Sequence, residues 1–127
     1  MVNNLDEQNL IHDWNLVDYD YSRDASNHPH GVWFDDETLR DGLQSPSAVN
    51  PTIEQKIELI DYMERLGIQK VDLGLPGAGP FHVSHIDAML SHIRENDFQI
   101  RPGAAVRTLM NDIEPLVDLQ SKHEMQI

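Results

Sequence analysis

The sequence predicts an α/β fold built on a parallel sheet, and three observations lead there. Short apolar runs alternate with segments of helical period in the order β-α-β-α-β-α, with a last stub that reads as a fourth strand. Gly- and Pro-rich stretches punctuate the alternation. A cluster of charged and amide side chains, Asp36 to Gln44, falls on the first strand-to-helix turn, which is where α/β proteins hold ligands. Alternation of this kind implies right-handed crossovers between parallel strands. Nothing in the pattern marks a reversal of strand order. An open doubly wound sheet and a partly present barrel both fit, since a (β/α)8 barrel needs roughly 250 residues and the chain has 127.

Residues 1–30 form a leader rich in Asn, Asp, Tyr and His without a sustained period, read as an N-terminal extension. From Gly31 the pattern is regular. Val32 to Asp36 reads as the first strand. Asn50 is placed to cap a helix with Pro51 at its first position. Ile53, Ile57, Ile60 and Met63 recur at helical spacing, with Leu59 and Leu66 widening the stripe, and Gly67 suits the left-handed residue after the last turn. Ile68–Leu73 is the second strand, stopped by Gly74–Pro80. The second helix buries Val83, Ile86, Met89, Leu90 and Ile93. Pro102 and Gly103 weaken the start of the third strand, which centres on Ala104–Val106. Asn111 or Asp112 opens a third helix through Ile113, Leu116, Val117 and Leu119, and Met125–Ile127 begins a fourth strand.

Composition excludes several functions. There are 22 acidic residues against 9 basic ones, the opposite of a nucleic-acid-binding surface and unsuited to an anionic membrane. No apolar run approaches the roughly 20 residues of a membrane span. Cysteine is absent, which removes disulfide and thiolate chemistry. No secretory or organellar targeting pattern is visible. A soluble cytoplasmic protein is expected.

Three strand ends converge on one rim. The first carries Thr38, Arg40, Asp41 and Gln44, the second Asp72 and a Gly/Pro-rich loop, the third Arg107. Carboxylate, amide and guanidinium groups together suit a small anionic substrate held through a hard divalent cation. Arg40 would be a permanently charged donor for an oxygen anion as it develops. The plainer alternatives are a surface ion pair for Arg40 and Asp41, a polar strand interior for Asp72, and a helix-end residue for Arg107. His82 and His85 share a helix face, but solvated helix histidines are commoner than metal sites there. His28 and His30, in the leader, rank no higher.

The stretch Asp36-Glu37-Thr38-Leu39-Arg40-Asp41-Gly42-Leu43-Gln44-Ser45-Pro46 resembles the D-x-T-L-R-D-G-x-Q-S-P signature of 2-isopropylmalate, citramalate and homocitrate synthases. These stand with 3-hydroxy-3-methylglutaryl-CoA lyase among the TIM-barrel metallolyases. Gly67 to Pro76 is similar to that family's G-[VI]-x-x-[IV]-E-x-G-[FL]-P, and the segment ending Val106-Arg107 follows more loosely. The resemblance covers Gly31 to the end.

That resemblance implies a partial (β/α)8 TIM barrel, about the first three β/α units, over residues 31–127. It implies an acyltransferase of amino-acid biosynthesis that condenses acetyl-CoA with a 2-oxo acid. Arg40 would be catalytic and Asp41 would hold the metal (Mg, Mn or Zn). Gln44, Thr38, Asp72 and Arg107 would bind substrate. Asp72 stands where the family has Glu, one methylene longer. Leu43 is the lyase-like choice, whereas Ser45-Pro46 and Leu75-Pro76 lean to the synthases. The family completes its metal site with a His-x-His pair from a later strand, and no such pair follows the motif here. The site is therefore expected to be incompletely liganded and the chain inactive alone. Carbon–carbon cleavage by the same site is the second reading, and a non-catalytic assembly module the third. Open strand edges lead us to expect a homo-oligomer.

Overall fold

Three short parallel strands organise the chain: β1 (Asp35–Asp36), β2 (Lys70–Asp72) and β3 (Arg101–Gly103). The computed structural model describes residues 33–46 and 48–127, so the reading of residues 1–30 as an extension lies outside it. The strands lie in the order β1-β2-β3, with Asp35, Lys70 and Arg101 in one row and Asp36, Val71 and Pro102 in the next. Strand order that follows chain order without reversal fits part of a (β/α)8 barrel. The expected first strand is shorter than the apolar run suggested. Val32 lies outside the described residues, and Trp33 and Phe34 precede the strand with exposed side chains. Backbone pairing nonetheless reaches Phe34, whose carbonyl accepts from Lys70 N at 3.1 Å.

Helices α1 (Ile53–Leu66), α2 (Pro80–Glu95) and α3 (Met110–His123) follow the strands in turn. The core gathers Val71 and Leu73 from the sheet with Ile60 and Met63 from α1. Ile86, Met89, Leu90 and Ile93 join from α2, and Leu119 from α3. The other face of the sheet is charged. Lys70 Nζ lies 2.7 Å from Asp35 Oδ2, and the Arg101 guanidinium sits 4.4 Å from the Trp33 ring centre.

Several boundaries differ from the sequence reading, each for a local reason. Thr52, not Asn50, caps α1. Its hydroxyl accepts from Gln55 N while the Gln55 side chain accepts from Thr52 N, a reciprocal capping box. Gly67 takes the left-handed conformation as expected, at φ 74°. Leu66, in the last turn, is 78% exposed rather than part of the buried stripe. Strand β3 is Arg101–Gly103, not Ala104–Val106. Arg101 N donates to Gln69 O and Ala105 N to Gly74 O. The missing N–H of Pro102 therefore faces away from β2, where the ladder does not need it. Leu109 caps α3, Asp112 lies inside its first turn, and Val117 is exposed. No strand forms at Met125–Ile127 among the described residues. Ile127 N turns back to Gln120 Oε1 at 3.4 Å, while Met125 and Ile127 pack against the core.

Candidate functional site

The loop between β1 and α1 is shaped by its own polar groups. Asp36 Oδ1 accepts from Thr38 N at 2.8 Å, and the Glu37 carbonyl accepts from both Arg40 N and Gly42 N. Leu39, 3% exposed, plugs the loop into the core. A single 3-10 turn, Gly42–Gln44, follows. With Leu39 pinned inward, Arg40 projects over the end of β2.

Three carboxylates surround the Arg40 guanidinium. Nη2 bonds Glu37 Oε2, Nη1 lies 3.3 Å from Asp41 Oδ1, and Nε lies 3.4 Å from Asp72 Oδ2. The Glu37 bond is the main reason its pKa is raised further. Nε is buried and makes no hydrogen bond, its contact with Asp72 being one of charge alone. Asp72 Oδ1 accepts from Gly74 N at 2.9 Å. Burial pushes the Asp72 carboxyl above the usual range, against the Gly74 bond and the Arg40 charge.

A cleft of about 170 Å³ opens beside Arg40 and Gln44, closed below by Leu73 and Ile86 and flanked by Lys56 and His85. A larger hollow of about 680 Å³ lies between α2 and α3 and is lined by no residue of the Thr38–Gln44 loop.

The family model for HMGL-like proteins matches residues 32–124. This chain belongs to the HMGL-like family. Among curated relatives it is 31% identical over 90 residues to the 2-isopropylmalate synthase of Sediminispirochaeta smaragdinae, a match covering 71% of this chain and 17% of that protein. It is 33% identical over 89 residues to the enzyme of the same name from Crocosphaera subtropica (70% and 16%). To that of Campylobacter fetus subsp. fetus it is 37% identical over 79 residues (62% and 15%). The HMGL-like chain thus spans about a sixth of the length of the relatives it matches. No solved structure matches it significantly.

Among the expected site residues of this HMGL-like chain, the fold brings Arg40, Asp41 and Asp72 into contact range, and Gln44 shares the cleft with Arg40. Thr38 is exposed on the loop, its backbone N–H held by Asp36. Arg107 is engaged elsewhere. Its Nε and Nη2 reach the two oxygens of Asp112 at 2.6 and 2.9 Å, and its backbone N–H donates to Asp112 Oδ2 at 3.1 Å. Arg107 is the chief cause holding the Asp112 carboxyl below the usual range. Asp112 in turn packs on Gly77, where an added Cβ would stand 2.2 Å from Asp112 Oδ1.

Glu37, Lys56 and Asp112 were not singled out by the sequence reading as site residues, and His85 was weighed there only as a metal ligand beside His82. Signals existed for two of them. Glu37 stands three residues before Arg40, and Lys56 falls in phase with the apolar stripe of α1 between Ile53 and Ile60.

A divalent metal fits these residues only in part. Asp41 is an exposed hard oxygen donor at the rim, suited to Mg²⁺ or Mn²⁺. The neighbouring carboxylates gather round a guanidinium, and no group of three or more His, Cys, Asp or Glu could hold a metal ion among the described residues. His92 and His123 are paired with Asp61 and Asp87. No helix among the described residues is long and apolar enough to cross a membrane.

Proposed function

We propose that this chain supplies the first three β/α units of a (β/α)8 barrel, with residues 1–30 as an extension. The barrel would belong to a cytoplasmic, metal-dependent acyltransferase that condenses acetyl-CoA with a 2-oxo acid. The observation that carries the reading is the Arg40 Nε–H. It is a buried donor in the family's signature loop that makes no hydrogen bond and stands 3.4 Å from Asp72 Oδ2 at the end of β2.

In this reading a general base of the complete barrel removes a methyl proton from acetyl-CoA, the enolate carbon attacks the oxo carbon, and Arg40 donates to the oxo oxygen as charge grows there, until that alkoxide takes up a proton. A donor fixed before the reaction stabilises that charge without reorganising. Glu37, Asp41 and Asp72 hold the guanidinium in place until then. Gln44 orients the acid from the cleft side. Asp41 would give a divalent cation one oxygen ligand, and the cation when bound supplies Lewis-acid polarisation of the oxo group. Hydrolysis of the thioester then releases CoA and the hydroxy-diacid.

A chimera tests this directly. Residues 32–124 would replace the matching segment of the Campylobacter fetus enzyme, and 2-oxo-acid-dependent CoA release would be measured. Turnover is expected. A folded chimera with no oxo-acid-dependent release would refute the reading.

A further inference from the structure

The hollow of about 680 Å³ between α2 and α3 shares no residue with the cleft beside Arg40. It follows α3 from Asn111 to Lys122, roughly 16 Å at the helical rise. Val83, Pro115 and Leu119 give it an apolar lining. Asp87, on α2, is answered by α3, since Lys122 Nζ lies 2.8 Å and His123 Nε2 2.7 Å from its oxygens. Glu114 and Asp118 are not answered. They stand one turn apart on α3, both exposed, and neither makes a hydrogen bond or ion pair among the described residues. Pro115 adds a backbone acceptor. It has no N–H for the carbonyl of Asn111, four residues back along the same groove.

These features define an occupant. The groove is about three helical turns long, and the furrow between two packed helices is where a third helix seats its apolar stripe. The surplus is two negative charges and a carbonyl, so the occupant must bring cationic donors beside that stripe. No segment of this chain supplies them. Its 9 Lys and Arg are scattered, the nearest two being Arg65 and Lys70, and its net charge of -13 opposes a second copy here. The same charge repels anionic membranes and nucleic acids. We propose that the α2–α3 groove docks a basic amphipathic helix of a partner protein, with apolar side chains on Val83, Pro115 and Leu119 and lysines or arginines on Glu114 and Asp118. Docking of this kind does not depend on acyl transfer.

The test uses the full 127-residue chain and a fluorescein-labelled synthetic peptide of about 14 residues, roughly four helical turns. Leucines recur along one face, lysines flank them, and alanine fills the rest. One control peptide carries Glu for every Lys, and another carries Ser for every Leu. Fluorescence anisotropy should show saturation by the Leu/Lys peptide below roughly 1 mM, with both controls at least roughly tenfold weaker. Spermine, a cation without an apolar face, should compete only in large excess. Glu114→Lys together with Asp118→Lys should weaken binding by roughly tenfold or more. The same reversal at Glu58 and Glu95, exposed residues outside the groove, should leave affinity within about threefold at roughly 0.15 M salt. Glu114→Gln with Asp118→Asn gives the same comparison, with a smaller loss, if the reversed pair does not fold.

No saturation by the Leu/Lys peptide would overturn the docking site. So would equal binding of either control peptide, displacement by equimolar spermine, or unchanged affinity after substitution of Glu114 and Asp118. Equal losses on reversal of Glu58 and Glu95 would reduce the attraction to overall charge and overturn it as well.

Discussion

Arg40 Nε and Asp72 Oδ2 stand 3.4 Å apart, joining the loop after β1 to the end of β2 across 32 positions of chain. Asp72 reaches Arg40 only at ion-pair range. The guanidinium is thus oriented with one donor still open.

The first prediction follows from that open donor. In the active chimera, Arg40→Lys should keep the charge, lose the fork, and reduce turnover by roughly 10²–10³-fold. Activity within a few-fold of the parent would remove Arg40 from the chemistry.

Gly77 gives a prediction independent of function. An added methyl at this position would collide with Asp112, whose carboxylate is fixed by Arg107. Gly77→Ala should cost about 1–3 kcal/mol, as overpacking does. Urea unfolding that gives the variant the same midpoint as the parent would contradict the packing described.

The pH dependence of stability should divide between two carboxylates of opposite sign. Arg107 lowers the folded pKa of Asp112 below the ordinary carboxylate value. Its stabilisation is therefore complete above that value and lost as pH falls through the folded pKa. Burial raises the folded pKa of Asp72, so its protonated form favours the fold, and that contribution disappears as pH rises through the raised value. Asp112→Asn should lower Tm at neutral pH, with the deficit shrinking in acid. Asp72→Asn should raise Tm at neutral pH, with the gain shrinking in acid. Tm profiles parallel to the parent at every pH would exclude both assignments.

Metal binding by the chain alone should be weak, because Asp41 offers one carboxylate and its neighbours turn to Arg40. Titration with Mn²⁺ or Mg²⁺ should give no tight isotherm. A single site of sub-micromolar affinity would point instead to His82 and His85.

We further expect self-association, through strand edges that carry no additional strand among the described residues. The sheet face opposite the helices bears Asp35, Lys70 and Arg101. The association should therefore respond to salt more than an apolar contact would. Sedimentation showing a monomer at all concentrations and salt levels would defeat this expectation.

What could be read from the sequence was whatever local chemistry decides. The helical stripe Ile53, Ile57, Ile60 and Met63 and the left-handed Gly67 were visible because period and conformational freedom are local properties. The cluster of Arg40 with Asp41 was legible from adjacency, and its meeting with Asp72 from the convergence of strand ends. The position of β3 was not. Pro102 argued against a strand until the direction of its missing N–H relative to β2 was known. Leu66 and Val117 carried apolar side chains in phase with a buried stripe, yet each ended on the exposed side. Lys56 was obscured for the converse reason, a charged residue in a core phase.

The pairing of Arg107 with Asp112, with Gly77 beneath it, ties the loop after β3 to the loop after β2. The loop after β1 is tied differently, through the Leu39 plug and the Arg40–Asp72 approach. The rim is thus cross-braced unevenly: a bidentate ion pair joins its second and third strand ends, and a longer single ion-pair contact joins its first and second.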